Sequence, residues 1–518
     1  MPYMKNLTHY TDTRATGDGR PVFTEVVVKG IAPGGGLFVP AELPAFSLEE
    51  ILAFSHMPYW RRAAAVFSRF GVDLPADRVD ILMQSAYGDQ WDDPRIAPVE
   101  EVVAGLHVLE LWHGPTSAFK DMALQCMPLF FSEGVELQQQ RGELMDDFLI
   151  LVATSGDTGK AALEGFADRD HTSIVVFYPA DGVSDIQRKQ MVTQAGENVG
   201  VFGVRGNFDD CQSAVKAAFA DESFNAWLHD RGLKLSSANS INWGRLLPQI
   251  VYYVSAYADM VAAGGVISGE PIDVCVPTGN FGNILGAYYA RSIGVPIGRL
   301  ICASNENNVL ADFIATGVYD ISERKFVMTP SPSMDILLSS NLERLLYHLA
   351  GPERVREWMA ELASERRFQV DPETFRAVRS LFVGEYVTND ESLETIRRVF
   401  EETGYLLDPH TAVAWEVAER TRDENPVLIV STAHWAKFGG DVLKALMGVP
   451  DGERLPAEFD GLTGVEMLAR VQELAPQGAC VPRALAELDD AEPRFSEVVD
   501  AGRDGIEAAV KAWLLADG

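Results

Sequence analysis

From about residue 145 the chain alternates short, almost wholly apolar runs with loops of Gly, Ser, Asn or Asp, each loop followed by a segment of helical spacing. FLILVA (148–153) leads through TSGDTG to KAALEGFA, and SIVVFYP (173–179) through ADGVSD to IQRKQMVTQ. VGVFGV (199–204) leads through RGNFDD to a segment with Val215, Ala218 and Phe219 on one helical face. IDVCVP (272–277) leads through TGNFGN to ILGAYYARS, and RLICAS (299–304) and PVLIVS (426–431) follow. Strands that are apolar at nearly every position and alternate with helices predict an α/β fold with parallel sheets covered on both faces. Ligands of such sheets bind beyond the carboxyl ends of the strands, where these loops fall.

The pattern changes outside that region. Residues 1–105 carry a Gly/Pro-rich stretch, KGIAPGGGLFVP (29–40), and helical spacing after it, so they read as an accessory N-terminal domain. Residues 106–440 form the main α/β region, with a smaller subdomain over about 120–235, and 441–518 read as an acidic, mainly helical segment. Residues 321–400 read as long charged helices. A chain of 518 residues with 47% hydrophobic content is long enough for several domains and a large core.

Charge narrows the partners. A net charge of −32 repels nucleic acid and anionic membrane surfaces, so an anionic ligand has to be drawn in locally by particular cations or helix N-termini. Cys126, Cys211, Cys275, Cys302 and Cys480 are dispersed, odd in number and without a C-x-x-C pair, which points away from disulfides and metal knots and towards a reducing cytoplasm. The N-terminal stretch lacks a signal-peptide core, and no apolar run approaches the roughly 20 residues of a membrane span. The expected protein is soluble, a monomer or small homo-oligomer, without a metal.

Against that background four loops carry candidate chemistry. TSGDTGK (154–160) imitates a P-loop, but Thr154 stands where Gly is needed and Ala161 where the magnesium-binding hydroxyl belongs. Ser155, Gly156, Asp157 and Thr158 remain as an anion-binding helix N-terminus or a plain N-cap. TGNFGN (278–283) offers Gly279, Asn280, Phe281, Gly282 and Asn283 either as an uncharged phosphate cradle or as a tight turn. In SANSINWGRLLPQ (237–249), Asn239, Ser240 and Asn242 precede Arg245, an anion clamp or a structural ion pair. Ser431 and Thr432 end a strand in IVSTAHWAKFGG (429–440). Lys120, in HGPTSAFKD, sits among apolar neighbours in a lysine-poor chain. Two anion cradles, a hydroxyl pair and such a lysine are the parts needed to hold pyridoxal 5′-phosphate through a Schiff base.

These segments resemble the threonine synthase family, in its longer form with an N-terminal domain, within the fold type II (tryptophan synthase β-like) pyridoxal-phosphate enzymes. HGPTSAFKD resembles the family's lysine motif, ATSGDTG its substrate-side loop, PTGNFGN its cofactor-phosphate loop, STAHWAKF its pyridine-nitrogen segment, and GIAPGGGLFVP its N-terminal domain. The resemblance implies two subdomains with the cofactor in the cleft, Lys120 as Schiff-base residue, residues 279–283 as phosphate cradle and Thr432 beside the pyridine nitrogen. It implies that Ser155, Gly156, Asp157 and Thr158 hold the substrate carboxylate and the cofactor's hydroxyl edge. Asp157 departs from the Asn of many fold type II relatives, so it is either protonated or faces another donor. Asn239, Ser240, Asn242 and Arg245 are implied at the substrate phosphate. His113 stands in for a lysine of short-form relatives, against the plainer reading of a surface or capping histidine.

The implied reaction converts O-phospho-L-homoserine and water to L-threonine and phosphate by γ-elimination and β-addition, with the lysine amine as acid and base. The alternative within the fold is a phospho-lyase that releases a 2-oxoacid from the same or a similar phospho-amino acid. A nucleotide-binding P-loop protein is the alternative from another class, and Thr154 and Ala161 oppose it.

Overall fold

All six apolar runs form strands, and they lie in two mainly parallel sheets that build two lobes. The computed structural model describes residues 7–17 and 19–516; the first six residues of the N-terminal stretch read above lie outside the described residues. The smaller lobe holds a five-stranded sheet in the order Val498–Asp500, Val199–Arg205, Thr172–Pro179, Asp147–Ala153, Leu233–Ser236, parallel throughout. The larger lobe holds a six-stranded sheet in the order Phe382–Tyr386, Ile297–Ser304, Ile272–Pro277, Val427–Ser431, Leu106–Glu110, Val99–Val103. Only the last pair is antiparallel. Ile272–Pro277 and Val427–Ser431 are buried at every position, which is why both read as unbroken apolar runs.

The strands that the pattern misses are short, interrupted or at edges. Val99–Val103 is partly exposed, and Leu106–Glu110 is buried but interrupted by His107 and Glu110. Phe382–Tyr386 lies in the stretch read as charged helices, where the long helix Leu342–Glu365 breaks at Gly351 (φ 80°, ψ 173°) ahead of Pro352. The C-terminal stretch is less helical than expected. Its helices Gly464–Leu474, Arg483–Ala486 and Arg503–Ala516 are separated by irregular chain, and Val498–Asp500 pairs with Val199–Arg205 at the edge of the small-lobe sheet. A three-residue strand has too few positions to display a period.

The N-terminal residues share a core with both lobes. Phe23 meets Phe130 edge-to-face at 5.5 Å, and Tyr10 meets Trp243 at 5.7 Å. Trp243 opens helix Trp243–Ala262, which is buried for nearly its whole length because it is apolar almost all round. The lysine loop and the four candidate loops leave the carboxyl ends of Leu106–Glu110, Asp147–Ala153, Leu233–Ser236, Ile272–Pro277 and Val427–Ser431. Among the described residues no helix is long and apolar enough to cross a membrane.

Candidate active site

The lysine loop and the 429–440 loop are stitched to each other. Phe119 N–H donates to the Thr432 carbonyl at 2.7 Å, His434 N–H to Ser117 O at 3.0 Å, and Leu111 N–H to Ser431 O at 3.0 Å. Within the lysine loop the buried Asp121 carboxylate accepts from Thr116 N–H at 2.8 Å and from its hydroxyl at 2.7 Å. A Cβ at Gly114 would stand 2.5 Å from Asp121 Oδ2, so the approach requires glycine. Ser117 sits in the left-handed region at φ 57°, and so does Phe281 at φ 63°. Non-glycine residues hold that conformation where surrounding structure imposes it, often at functional sites.

Lys120 lines a cavity together with Phe119, Ser240, Arg245, residues 279–283 and Thr432. Burial drives its amine down to about 8; Arg245 and Lys437 push the same way and Asp157 opposes them. About a tenth of the amine is then neutral at pH 7, the form a nucleophile or base requires. Phe281 turns the chain into helix Gly282–Ser292, whose first amides have no partner inside the helix. Tyr252 and Tyr253 hydroxyls both donate to Asn283 Oδ1 at 2.6 Å, which leaves Asn283 Nδ2 buried without a partner.

Arg245 is buried beside this cradle. One guanidinium nitrogen donates to the Ala238 carbonyl, Nε has no partner, and burial lowers the group to about 10. Buried guanidinium is ordinarily matched by a carboxylate. Here the structural ion-pair reading fails, since no ion pair among the described residues includes Arg245.

The other expected residues divide. Ser240 lines the cavity and accepts from Asn341 Nδ2 at 3.3 Å, whereas Asn239 is exposed. Asn242 is turned away: its Oδ1 caps helix Trp243–Ala262 through Gly244 N–H at 2.9 Å, and its Nδ2 donates to Val27 O at 2.8 Å. Its side chain is spent on the helix cap and on fastening the N-terminal region. His113 lies outside the cavity lining, with Nε2 2.8 Å from Glu110 Oε2 and its ring 4.0 Å from that of Trp112.

Ser155, Gly156 and Thr158 also lie outside that lining. The Thr154 hydroxyl accepts from the amides of Gly156 and Gly159 at 2.9 and 2.8 Å, so this loop caps its own helix. Lys160, the lysine of the P-loop imitation, pairs with Glu164 at 2.8 Å. Asp157 reaches the cavity wall by accepting from the Ser333 hydroxyl at 2.9 Å. It also meets Lys437 Nζ at 2.8 Å and Gln187 Nε2 at 3.0 Å. Burial works to raise its pKa, but Lys437, His410 and these hydrogen bonds outweigh burial and hold it below the usual carboxylate range. Asp157 is therefore ionised and faces a different donor.

Gln249, Thr278, Ser333, Met334 and His410 line the cavity without having been expected there. His410 donates from Nδ1 to Asp408 at 2.8 Å, the tautomer that leaves Nε2 to accept from Ser333 N–H at 3.2 Å. The DPH triplet at 408–410, an acid two residues before a histidine at a helix start, was a usable signal. Ser333 and Met334 had none, because their turn is held by a distant polar cluster in which Asn305, Asn307 and Thr329 donate to Asp335.

A neutral-capable amine, a helix N-terminus with an orphaned amide and a nearby hydroxyl fit pyridoxal phosphate. Two parallel-sheet lobes around such a cavity define a fold type II pyridoxal-phosphate-dependent enzyme. Residues 95–433 match the pyridoxal-phosphate dependent enzyme family, 9–87 the threonine synthase N terminus, and 411–481 the threonine synthase C-terminal family. Human threonine synthase-like 1 is 45% identical over 82% of the chain, a match that spans 58% of that protein. Threonine synthase of Schizosaccharomyces pombe is 38% identical over 89% of the chain and 95% of its own length. The crystal structure of pyridoxal-phosphate-bound threonine synthase from Brucella melitensis aligns with TM-score 0.82 at 36% identity, covering 98% of this chain and 99% of that one. The chain belongs to the threonine synthase family, and its cofactor is pyridoxal 5′-phosphate.

Proposed function

We propose that this protein converts O-phospho-L-homoserine and water to L-threonine and phosphate, the closing step of threonine biosynthesis. One observation carries the reading: a buried arginine without a carboxylate partner lines the same cavity as Lys120 and the uncharged 279–283 cradle. That cavity has two anion sites of different character, as a phosphorylated substrate on a phosphorylated cofactor needs. Bound pyridoxal phosphate supplies an electron sink for charge developing at the substrate α-carbon.

The chain's own residues do the rest. Residues 279–283 hold the cofactor phosphate through backbone amides and the Asn283 amide. Lys120 Nζ, once free, takes the proton from the α-carbon and returns one there at the end. The amides of Asp157 and Thr158 receive the substrate carboxylate at the N-terminus of helix Asp157–Phe166. Arg245, with Ser240, holds the substrate phosphate and steadies it as the γ-carbon–oxygen bond breaks and charge collects on the leaving group. Loss of a β-proton drives that departure; a proton then enters at the γ-carbon, and water delivers hydroxyl to the β-carbon, its remaining proton balancing the one the released phosphate takes up. The free cysteines suit the reducing cytoplasm in which this chemistry would run.

The higher identity to a protein called threonine synthase-like 1 than to the S. pombe threonine synthase favours keeping a second reading: elimination of phosphate with release of 2-oxobutyrate. Incubating the holoenzyme with O-phospho-L-homoserine and measuring phosphate together with the organic product decides between them. Phosphate with an equal amount of threonine supports the synthase, phosphate with 2-oxobutyrate the lyase, and no phosphate removes both.

A further inference from the structure

Asp157 sets an electrostatic problem, on the reading that residues 157–158 receive the substrate carboxylate. An uncompensated anion at the start of helix Asp157–Phe166 would occupy the helix's partial positive charge and repel the incoming carboxylate. The structure supplies a compensating cation from the other lobe. Lys437 follows strand Val427–Ser431 of the larger lobe and is fully buried; its Nζ stands 2.8 Å from Asp157 Oδ1 and donates to Thr116 O of the lysine loop at 2.8 Å. Its own carbonyl accepts from Ser184 Oγ, the cap of small-lobe helix Asp185–Val192, at 3.0 Å. Ser333 from the larger lobe and Gln187 from the smaller lobe complete the shell of Asp157. A neutral amide at 157 has one acceptor oxygen and could not receive all three donors.

We propose that Lys437 is a positioning residue that cancels the charge of Asp157, so that the amides of residues 157–158 accept a second carboxylate, that of the amino-acid substrate. The pair also joins the 154–158 loop of one lobe to the lysine loop of the other. The four polar contacts of the Asp157 carboxylate and Lys437 ammonium are all internal to the protein, which leaves the helix amides as the free donors.

The test uses holoenzyme and two ligands without phosphate, L-2-aminobutyrate and its primary amide, titrated by the change in the cofactor's visible spectrum. Lys437→Met should weaken the carboxylate ligand about tenfold or more while leaving the amide within about twofold, because only the former meets an uncompensated Asp157. Adding Asp157→Asn to that variant should recover most of the loss. Equal weakening of both ligands in Lys437→Met, or no recovery in the double variant, overturns the proposal in favour of a purely structural pair. If Lys437→Met does not fold, Asp157→Asn alone decides: the carboxylate-to-amide affinity ratio should hold or rise, and a fall overturns the proposal. Wild-type enzyme that binds both ligands but releases no phosphate from O-phospho-L-homoserine would instead count against the proposed function alone.

Discussion

At the scale of single residues, burial is what turns ordinary side chains into reactive ones. Lys120→Ala should abolish turnover and the Schiff-base absorption band that added cofactor forms with the wild type, measured by phosphate release and spectrophotometry; full activity without added amine contradicts its role. The folded pKa of about 8 lies below the ordinary 10.5, so the unfolded chain binds the extra proton. Protonation of Lys120 thus costs the apoprotein stability progressively as pH falls from 10.5 to about 8, and by a constant amount below. The same shift predicts that cofactor uptake by apoprotein quickens with pH up to about 8 and then levels; stopped-flow absorbance checks this, and a plateau only near 10.5 would mean an unburied amine. Arg245→Ala should lower kcat/KM on O-phospho-L-homoserine by about 10- to 100-fold, since a charged hydrogen bond is lost, while cofactor titration stays near wild type. Cofactor loss with normal kinetics after reconstitution would put Arg245 on the other phosphate.

Among elements, the legible ones were those whose residues advertise burial directly. The six apolar runs and the loops after them needed no partner to be recognised, because a strand covered on both faces is apolar whatever covers it. Strand Val498–Asp500 and helix Arg503–Ala516 had no such autonomy, and their place on the smaller lobe comes from packing.

 Ile506 is fully buried in that helix, in a cluster with Cys211, Ala214 and Val215 of helix Phe208–Ala220. Ile506→Ala should therefore cost about 2–5 kcal/mol by leaving a cavity, read as a lower denaturation midpoint and faster hydrogen exchange in Val199–Arg205. Unchanged exchange there would show that the C-terminal helix does not brace this sheet. The 154–158 loop gives a second test. Gly156 stands at φ 131°, and a Cβ there would meet the Gln187 side chain at 2.4 Å. Gly156→Ala should displace Gln187 from Asp157 and reduce kcat/KM about tenfold or more, with a loss of about 1–3 kcal/mol in stability. Wild-type kinetics in a folded Gly156→Ala enzyme would show that the loop tolerates the shift.

Over the whole molecule, the net charge of −32 sets a repulsive background for an anionic substrate. Added salt screens that background over a length of about 8–10 Å, whereas the buried Arg245 is screened much less. KM for O-phospho-L-homoserine should therefore fall as a non-binding salt is raised from low ionic strength; a steady rise would show that exposed cations do the recruiting. The sequence by itself determined the α/β class and the strand-to-helix loops, and singled out Lys120 as the candidate amine, because these depend on local patterns of apolarity, glycine and hydroxyl residues. Only the tertiary structure decided which polar residues share a cavity. Asn242 and Arg245, three positions apart, diverge into a helix cap and an unpaired guanidinium. Ser333, His410 and Lys437 come to Asp157 and the cavity wall from distant parts of the chain. The protonation of Asp157, undecidable from its neighbours in sequence, follows from a lysine 280 positions away, since charge in a dry interior answers to distance in space and to the partners that burial brings with it.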